Sequence, residues 1–471
     1  MKHWILGVVC FSASWIGVSA EPGELQKITQ YGITWRFDKP YSTGRFVTGD
    51  YWVVGPVKII GITTDLHAPG FSPEPGQDGS MANPGTTDKQ GYDNRIKGSY
   101  APALNAGLID GKPVSPESPL VLAPDSSLVS MVSWLFKSEA DTEPGTPHFA
   151  GYSHAPRSAT RSAAVLTILK GPAPEGSFRP PYCGKDKTVK YNLKQLDLSK
   201  LKNLPPPPKT PDPNEIAKSM ERPWIDHVTQ WLGADIHPTE NMPNYGREIS
   251  AILSQAGLLM NLDFSRLPGQ PNKEKLLINM VQFGIDLTGI SDASGGWPAD
   301  GGHGAGRKLP ILIAGLALND PHMKDVGHWK TRFQDNEQTF YVTQADVDLS
   351  HSPRWKPDQR AKDKEPYEAK DIGMPEWGIR HALEPERDNR GWDTPYRSVN
   401  YPGIVAVALA VLIMEQKDAW NHDAFLDYAD RVMQRGSDAG QGANSVSPFC
   451  RDMWAAYRDK YPHGKWPGSG R

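Results

Sequence analysis

From residue 31 to about residue 170, apolar positions alternate with polar ones. Ile33, Trp35 and Phe37 fall on one side of a period-two pattern, and residues 45–62 read as strands joined at Thr48-Gly-Asp50. Residues 119–123, 127–134 and 163–169 are further strand-sized apolar runs, separated by loops rich in Pro, Gly, Asp and Ser. The pattern predicts a β-sandwich or a similar sheet module. After residue 213 the period lengthens to that of helices, predicted over 214–220, 224–232, 249–260, 273–289, 309–318, 404–414, 424–433 and 452–461. Residues 320–390 are the least regular, with a short strand predicted at 340–343 and a helix at 376–384.

The helices have two characters. Residues 273–289 keep a charged face, whereas 249–260, 309–318 and 404–414 are nearly devoid of charge. Each apolar segment follows a polar lead-in: Asn241-Met-Pro-Asn-Tyr-Gly-Arg-Glu248, Gly295-Gly-Trp-Pro-Ala-Asp-Gly-Gly-His-Gly-Ala-Gly-Arg307, and Tyr396-Arg-Ser-Val-Asn-Tyr-Pro-Gly403. Buried helices whose N-terminal ends open into one cleft would have this pattern. The fold class expected is multidomain α and β. An N-terminal β-rich module (21–203) and a proline-rich connection (204–213) precede an incomplete α/α toroid of helical hairpins (214–471). In the toroid, apolar inner helices are ringed by amphipathic outer ones. A plain helical bundle is the alternative.

Composition fits a large packed core. The chain has 471 residues, 38% of them hydrophobic, with 15 Trp, 16 Tyr and 13 Phe, more aromatics than disorder carries. Residues 1–20 combine a basic start, an apolar run and Val18-Ser-Ala20, the pattern of a secretory signal, so a secreted or periplasmic location is expected. No later uninterrupted apolar stretch reaches spanning length, and no transmembrane segment is expected. Beyond the signal, Cys183 and Cys450 remain; they form either a disulfide, which export permits, or two separate buried thiols. A net charge of -3 with mixed signs argues against nucleic acid but not against an acidic polysaccharide met by local arginines. The oligomeric state is not legible.

The chemistry resides in the lead-ins. Asn241, Asn244, Tyr245 and Arg247 come first, as helix caps and packing groups or as site residues. His303 and Arg307, four apart, share a face of a continuous helix, with Trp297 and Asp300 ahead of them. Tyr396, Arg397, Asn400 and Tyr401 form the third group. Asp93–Tyr100 and 148–154 either border a ligand or are ordinary loops. No Gly-x-Ser-x-Gly elbow, His-Glu-x-x-His helix or Walker ending occurs. No cofactor is called for, although a structural calcium ion held by loop carboxylates is compatible with the sequence.

An inventory of Asn, Tyr, His and Arg suits β-elimination from a uronic-acid polymer. Asn or Arg neutralises the C6 carboxylate, His or Tyr removes the C5 proton, and a Tyr hydroxyl protonates the departing oxygen. Trp297, Trp377 and Trp392 are candidate sugar platforms, or else core. The Gly-Gly-His-Gly-Ala-Gly-Arg lead-in and the tyrosine-bearing ones resemble those of secreted polysaccharide lyases with an α/α toroid, such as alginate and glucuronan lyases, over residues 214–471. That resemblance implies Asn244 and Arg307 as neutralisers, His303 as base, and Tyr401 or Tyr245 as acid. Asn241, Arg247, Trp297, Asp300, Tyr396, Arg397 and Asn400 would contact substrate. Two features depart from the alginate-lyase pattern: Asn244 is followed by Tyr245 rather than histidine, and the β module precedes the helices. The competing readings are a toroid glycoside hydrolase and a carbohydrate-binding protein without turnover. The hydrolase would draw its acids from Asp235, Glu248, Asp300, Glu376 and Asp393.

Overall fold

A computed structural model describes residues 23–96, 98–138, 141–147, 158–229, 231–392, 395–435 and 446–463. The expected signal at 1–20, the loop at 148–154 and Asp393 lie outside the described residues. Eight strands make one curled mixed sheet, a half-barrel, rather than two facing layers. They are β1 (Gly23–Gln30), β2 (Ile33–Arg45), β3 (Tyr51–Val54), β4 (Val57–Thr64), β5 (Ser80–Ala82), β6 (Leu120–Leu122), β7 (Ser126–Ser133) and β8 (Thr160–Leu169). Their order is β5–β7–β8–β3–β2–β4–β6, with β1 on β2. Only β3 and β8 run parallel within it.

Both faces of the central strands are buried, and this explains their near-continuous runs of apolar and small residues. In β7 and β8, Leu128, Val132, Ala164, Leu166 and Ile168 pack with Trp35, Phe37 and Ile59 inside the curl. The intervening Val129, Met131, Ala163 and Val165 turn the other way and join the core of the helices. Sheet and helices therefore share one hydrophobic core. A buried ion cluster also bridges them. Arg179 donates from Nε to Asp50 at 2.8 Å, and from Nη1 and Nη2 to Asp286 at 2.9 and 2.6 Å.

The helices are α1 (Pro213–Ser219), α2 (Gly246–Leu259), α3 (Lys273–Asp292), α4 (Lys308–Ala317), α5 (Pro395–Ile413), α6 (Asp423–Gln434) and α7 (Pro448–Tyr457). Capping side chains start several of them: Asp212 for α1, Asn272 for α3 and Ser447 for α7. The three uncharged helices pack on one another. A Cβ on Gly257 of α2 would stand 2.9 Å from Leu309 of α4 and 3.5 Å from Ala410 of α5. Residues 396–413 of α5 are long and apolar enough to cross a membrane, and 78% of that stretch is buried inside the protein.

The expected α/α toroid is not what these helices build. Helix makes up only 34% of the protein, and no ring of hairpins is present among the described residues. A toroid needs each inner helix returned by an outer one of similar length. Between α4 and α5, residues 318–392 offer instead only short helical turns, none longer than the seven residues of Gln344–Ser350, and a two-stranded ribbon, β9 (Thr339–Tyr341) with β10 (Pro375–Trp377). α4 packs on α3, and α2 packs on α5 and α1, so the described helices cover one another without a second ring.

Two local expectations also give way to tertiary contacts. Residues 224–229 are irregular rather than helical, because the Asp226 backbone N–H donates to Tyr182 Oη at 2.9 Å and its carboxylate is taken by Arg307; only a short turn at Trp231–Asp235 follows. Residues 375–377 are a strand rather than the start of a helix, because Glu376 is buried between Arg397 and Arg431. The proline-rich stretch at 204–213 is strapped down. Leu204 N–H donates to Asn261 O at 2.9 Å, and Tyr457 Oη donates to Pro205 O. Cys183 and Cys450 are not bridged. Both are buried free thiols, Cys183 in the segment against α3 and Cys450 within α7, and burial pushes each up to about 12.

Candidate functional site

The glycine-rich lead-in to α4 is tied by hydrogen bonds to side chains about thirty residues downstream. Its backbone is held by a polar turn at residues 334–338. Glu337 Oε2 accepts from Ala299 N–H at 2.7 Å, and Gln334 Oε1 accepts from Gly304 N–H at 2.7 Å and from Asp300 N–H at 3.3 Å. The side-chain amides of Gln334 and Gln338 both donate to Gly301 O. These scaffold residues escape a reading of the sequence, since Gln334-Asp-Asn-Glu-Gln338 has neither a motif nor a period that ties it to a loop thirty residues away.

The lead-ins of α2 and α4 meet the first turns of α5 at Gly301-Gly302-His303; residues 396–403, expected as a lead-in to a helix at 404–414, are themselves helical. A Cβ on Gly301 would lie 3.1 Å from the Tyr396 ring and 3.5 Å from His381; one on Gly302 would lie 3.0 Å from the Tyr245 ring and 3.3 Å from the Asn400 amide. Two histidine–tyrosine pairs thus flank the two glycines. His303 and Tyr245 have ring centroids 5.8 Å apart, and His381 and Tyr396 6.0 Å apart, each pair tilted by 57°. Tyr245 Oη accepts from Gly302 N–H at 3.4 Å, and Arg247 lies 5.3 Å from the Tyr245 ring. Asp300 Oδ1 is 3.8 Å from His381 Nδ1. Beyond this second pair opens a groove of 870 Å³, whose lining includes His381, Tyr396, Arg354, Lys356, Arg360 and Arg387.

Of the residues singled out from the sequence, Tyr245, Asp300, His303, Tyr396 and Asn400 come together, with Arg247 beside them. His381 and Arg360 were missed, because nothing local marks them. Several other candidates belong to the interior. Arg307 is 1% exposed and is bound by Asp226, Nε to Oδ2 at 2.8 Å and Nη2 to Oδ1 at 3.1 Å, so it cannot reach a substrate carboxylate. Burial pushes the Asp226 carboxyl up, but Arg307 and His237 outweigh that and hold it well below the usual range. Tyr401 is fully buried against Trp392 and Tyr428, and burial raises its hydroxyl far above its ordinary value, so it does not serve as acid at the cleft. Arg397 is buried on Glu376 and Tyr428. Asn241 ties down the carbonyls of Ser219 and Arg222. Asn244 stands half-buried one residue before Tyr245.

The three candidate sugar platforms are buried as well. Trp297 stacks on Phe333, Trp377 donates to Gln338 Oε1, and Trp392 stacks on Tyr428. Asp93 is consumed by Arg95, with Nε to Oδ1 at 2.9 Å. Among the acids considered for hydrolysis, Glu376 is held low by Arg397 and Arg431 against the upward push of burial, and Glu248 pairs with Arg247 at 2.6 Å. Asp235 lies half-buried at the end of a short turn whose carbonyl accepts from Ala159 N–H. No group of three or more His, Cys, Asp or Glu suited to a metal ion occurs among the described residues.

A buried carboxylate underlies the loop. Asp335 accepts from Gly306 N–H at 3.2 Å with each oxygen, and burial pushes it up to about 6 despite that bond and the nearby Lys308. An acid raised in the folded state holds its proton longer there than when unfolded, so stability falls as pH rises from about 4 through about 6. The loss is about 3 kcal/mol. Thermal unfolding across this window should show a falling slope in the parent, to which Asp388, also pushed up to about 6 by burial, contributes; Asp335→Asn, which keeps an acceptor for Gly306, should reduce that slope, and an unchanged slope would assign the effect to other groups.

No family model, curated protein or solved structure matches this chain.

Proposed function

We propose that this protein is a polysaccharide lyase that cleaves a uronic-acid-containing polymer by β-elimination at the Gly301-Gly302-His303 turn. The observation that carries the reading is the pair of histidine–tyrosine contacts on either side of two glycines, at the edge of an arginine-bearing groove. In β-elimination a base removes the C5 proton, the electron pair forms the C4–C5 double bond, and the glycosidic oxygen leaves C4 with a proton. His303 is the base. Tyr245, in ring contact with it, is the acid, and their proximity suits removal and delivery on one face of the sugar. His381, at the edge of the groove, donates to the C6 carboxylate and stabilises the charge that develops on it.

Hydrolysis is the weaker reading. It needs two opposed carboxylates, whereas the acids lining the groove are each engaged by an arginine: Asp358 by Arg360, Glu384 by Arg387 and Glu386 by Arg354. Incubation with glucuronan, alginate and a neutral glucan is expected to raise ultraviolet absorbance, from the unsaturated product, only with a uronate polymer. New reducing ends without that absorbance would replace the lyase by a hydrolase, and neither signal would leave a binding protein. His303→Ala and Tyr245→Phe should each lower turnover by about 10²–10⁴-fold with an unchanged circular dichroism spectrum. Tyr401→Phe should stay close to the parent.

A further inference from the structure

We propose that the groove beside the His381–Tyr396 pair is a binding track for the neighbouring acidic residues of the same chain, so that the protein engages the interior of a polyanion rather than a single terminal sugar. This rests on the lyase reading for its chemistry, but not for its geometry. His381 and Tyr396 line the groove and stand next to Gly301, where an added Cβ would lie 3.5 and 3.1 Å from them, so the groove ends beside the His303 turn. At 870 Å³ the space lies in the upper range of ligand sites, more than one bound carboxylate requires.

The walls are built structure rather than loose loops. Lys356 N–H donates to Glu386 O at 2.8 Å, and Trp355 Nε1 donates to Asp388 O at 2.7 Å, which zips residues 354–356 to 386–388. Asp358 holds Arg360 through Nε and Nη2 at 3.0 and 2.7 Å, and Arg360 lies 4.5 Å from the Tyr396 ring. Glu386 and Glu384 each hold one guanidinium nitrogen, Nη2 of Arg354 and, at 3.0 Å, Nε of Arg387, at the more exposed rim. A guanidinium has five N–H donors, so one carboxylate partner aims the fork and leaves donors for a second anion. Three aimed guanidinium groups with Lys356 and a stacked tyrosine match a string of sugar rings, each bearing an anionic group.

The test separates track from chemistry. Binding of polyglucuronate, a sulfated glycan and a neutral glucan is measured by affinity electrophoresis with His303→Ala protein, with and without Arg354→Ala/Arg387→Ala. The double variant should weaken polyglucuronate binding about tenfold and reduce its salt dependence. Arg354→Lys/Arg387→Lys should recover part of it, which a fold defect would not. Stronger binding of the sulfated glycan would assign the track to sulfate esters. With His303 intact, the alanine pair should raise KM for long chains more than for a trisaccharide and leave kcat nearly alone. Equal binding by alanine pair and parent, or equal KM changes for long and short substrates, overturns the track. Track-dependent binding without any unsaturated product keeps the track and rejects the lyase.

Discussion

Arg307→Ala is expected to destabilise the protein by about 3–5 kcal/mol, because it strands a buried carboxylate. Asp226 and Arg307 are bidentate partners, both almost fully buried. Arg307 Nη1 also donates to His303 O at 3.1 Å and Ala305 O at 2.8 Å, so the same change releases the backbone of the proposed site. Urea unfolding should show the loss. A variant with both partners made apolar, Asp226→Leu/Arg307→Met, should lose much less than the sum of the single changes, since no unmatched charge is left inside. With the Asp226 carboxyl held low, the contribution is complete at neutral pH and is lost only as pH falls into strong acid. If Arg307 instead neutralised a substrate carboxylate, Arg307→Ala would abolish turnover at parental stability. That outcome would return it to the cleft.

Gly246→Ala should be the most damaging small change at the site. A Cβ there would stand 1.8 Å from His303 O and 2.3 Å from His303 C, so the clash is with backbone and cannot be relieved by a rotamer. Alanine in the first turn of α2 gains roughly 0.5–1 kcal/mol of helix preference, but overpacking costs about 1–3 kcal/mol or more, and the clash wins. Stability should fall, and turnover should fall further, because the relief available is to push His303 away from Tyr245. Gly171→Ala, where an added Cβ meets nothing within 4 Å, is the control and should be neutral. Parental stability and turnover in Gly246→Ala would mean that α2 does not back onto the loop as described.

The lead-ins were legible because each places polar and glycine residues directly before an uncharged helix. That juxtaposition brought Tyr245, Asp300, His303, Tyr396 and Asn400 forward before any contact was known. Residue type alone could not separate Tyr396 from Tyr401, or Arg247 from Arg307. Within one lead-in the two tyrosines are five positions apart on α5, and the turn of the helix sends one to the cleft and the other among Trp392 and Tyr428. Arg360 comes from a segment without a regular period, and His381 from a predicted helix at 376–384 that gave no sign of facing the lead-ins.

By itself the sequence determined where strands give way to helices, which helices are too apolar for solvent, and that their N-terminal ends carry the polar chemistry. Those features are local, written in periods of two and of 3.6 residues. The tertiary structure alone decided that the described helices form no ring, that Trp297, Trp377 and Trp392 are core, and that Cys183 and Cys450 remain separate thiols. It also decided that Arg307 and Arg397 spend their charge on Asp226 and Glu376. Those outcomes depend on partners far apart in the chain, and a buried charge or aromatic ring is settled by whichever partner the packing brings to it.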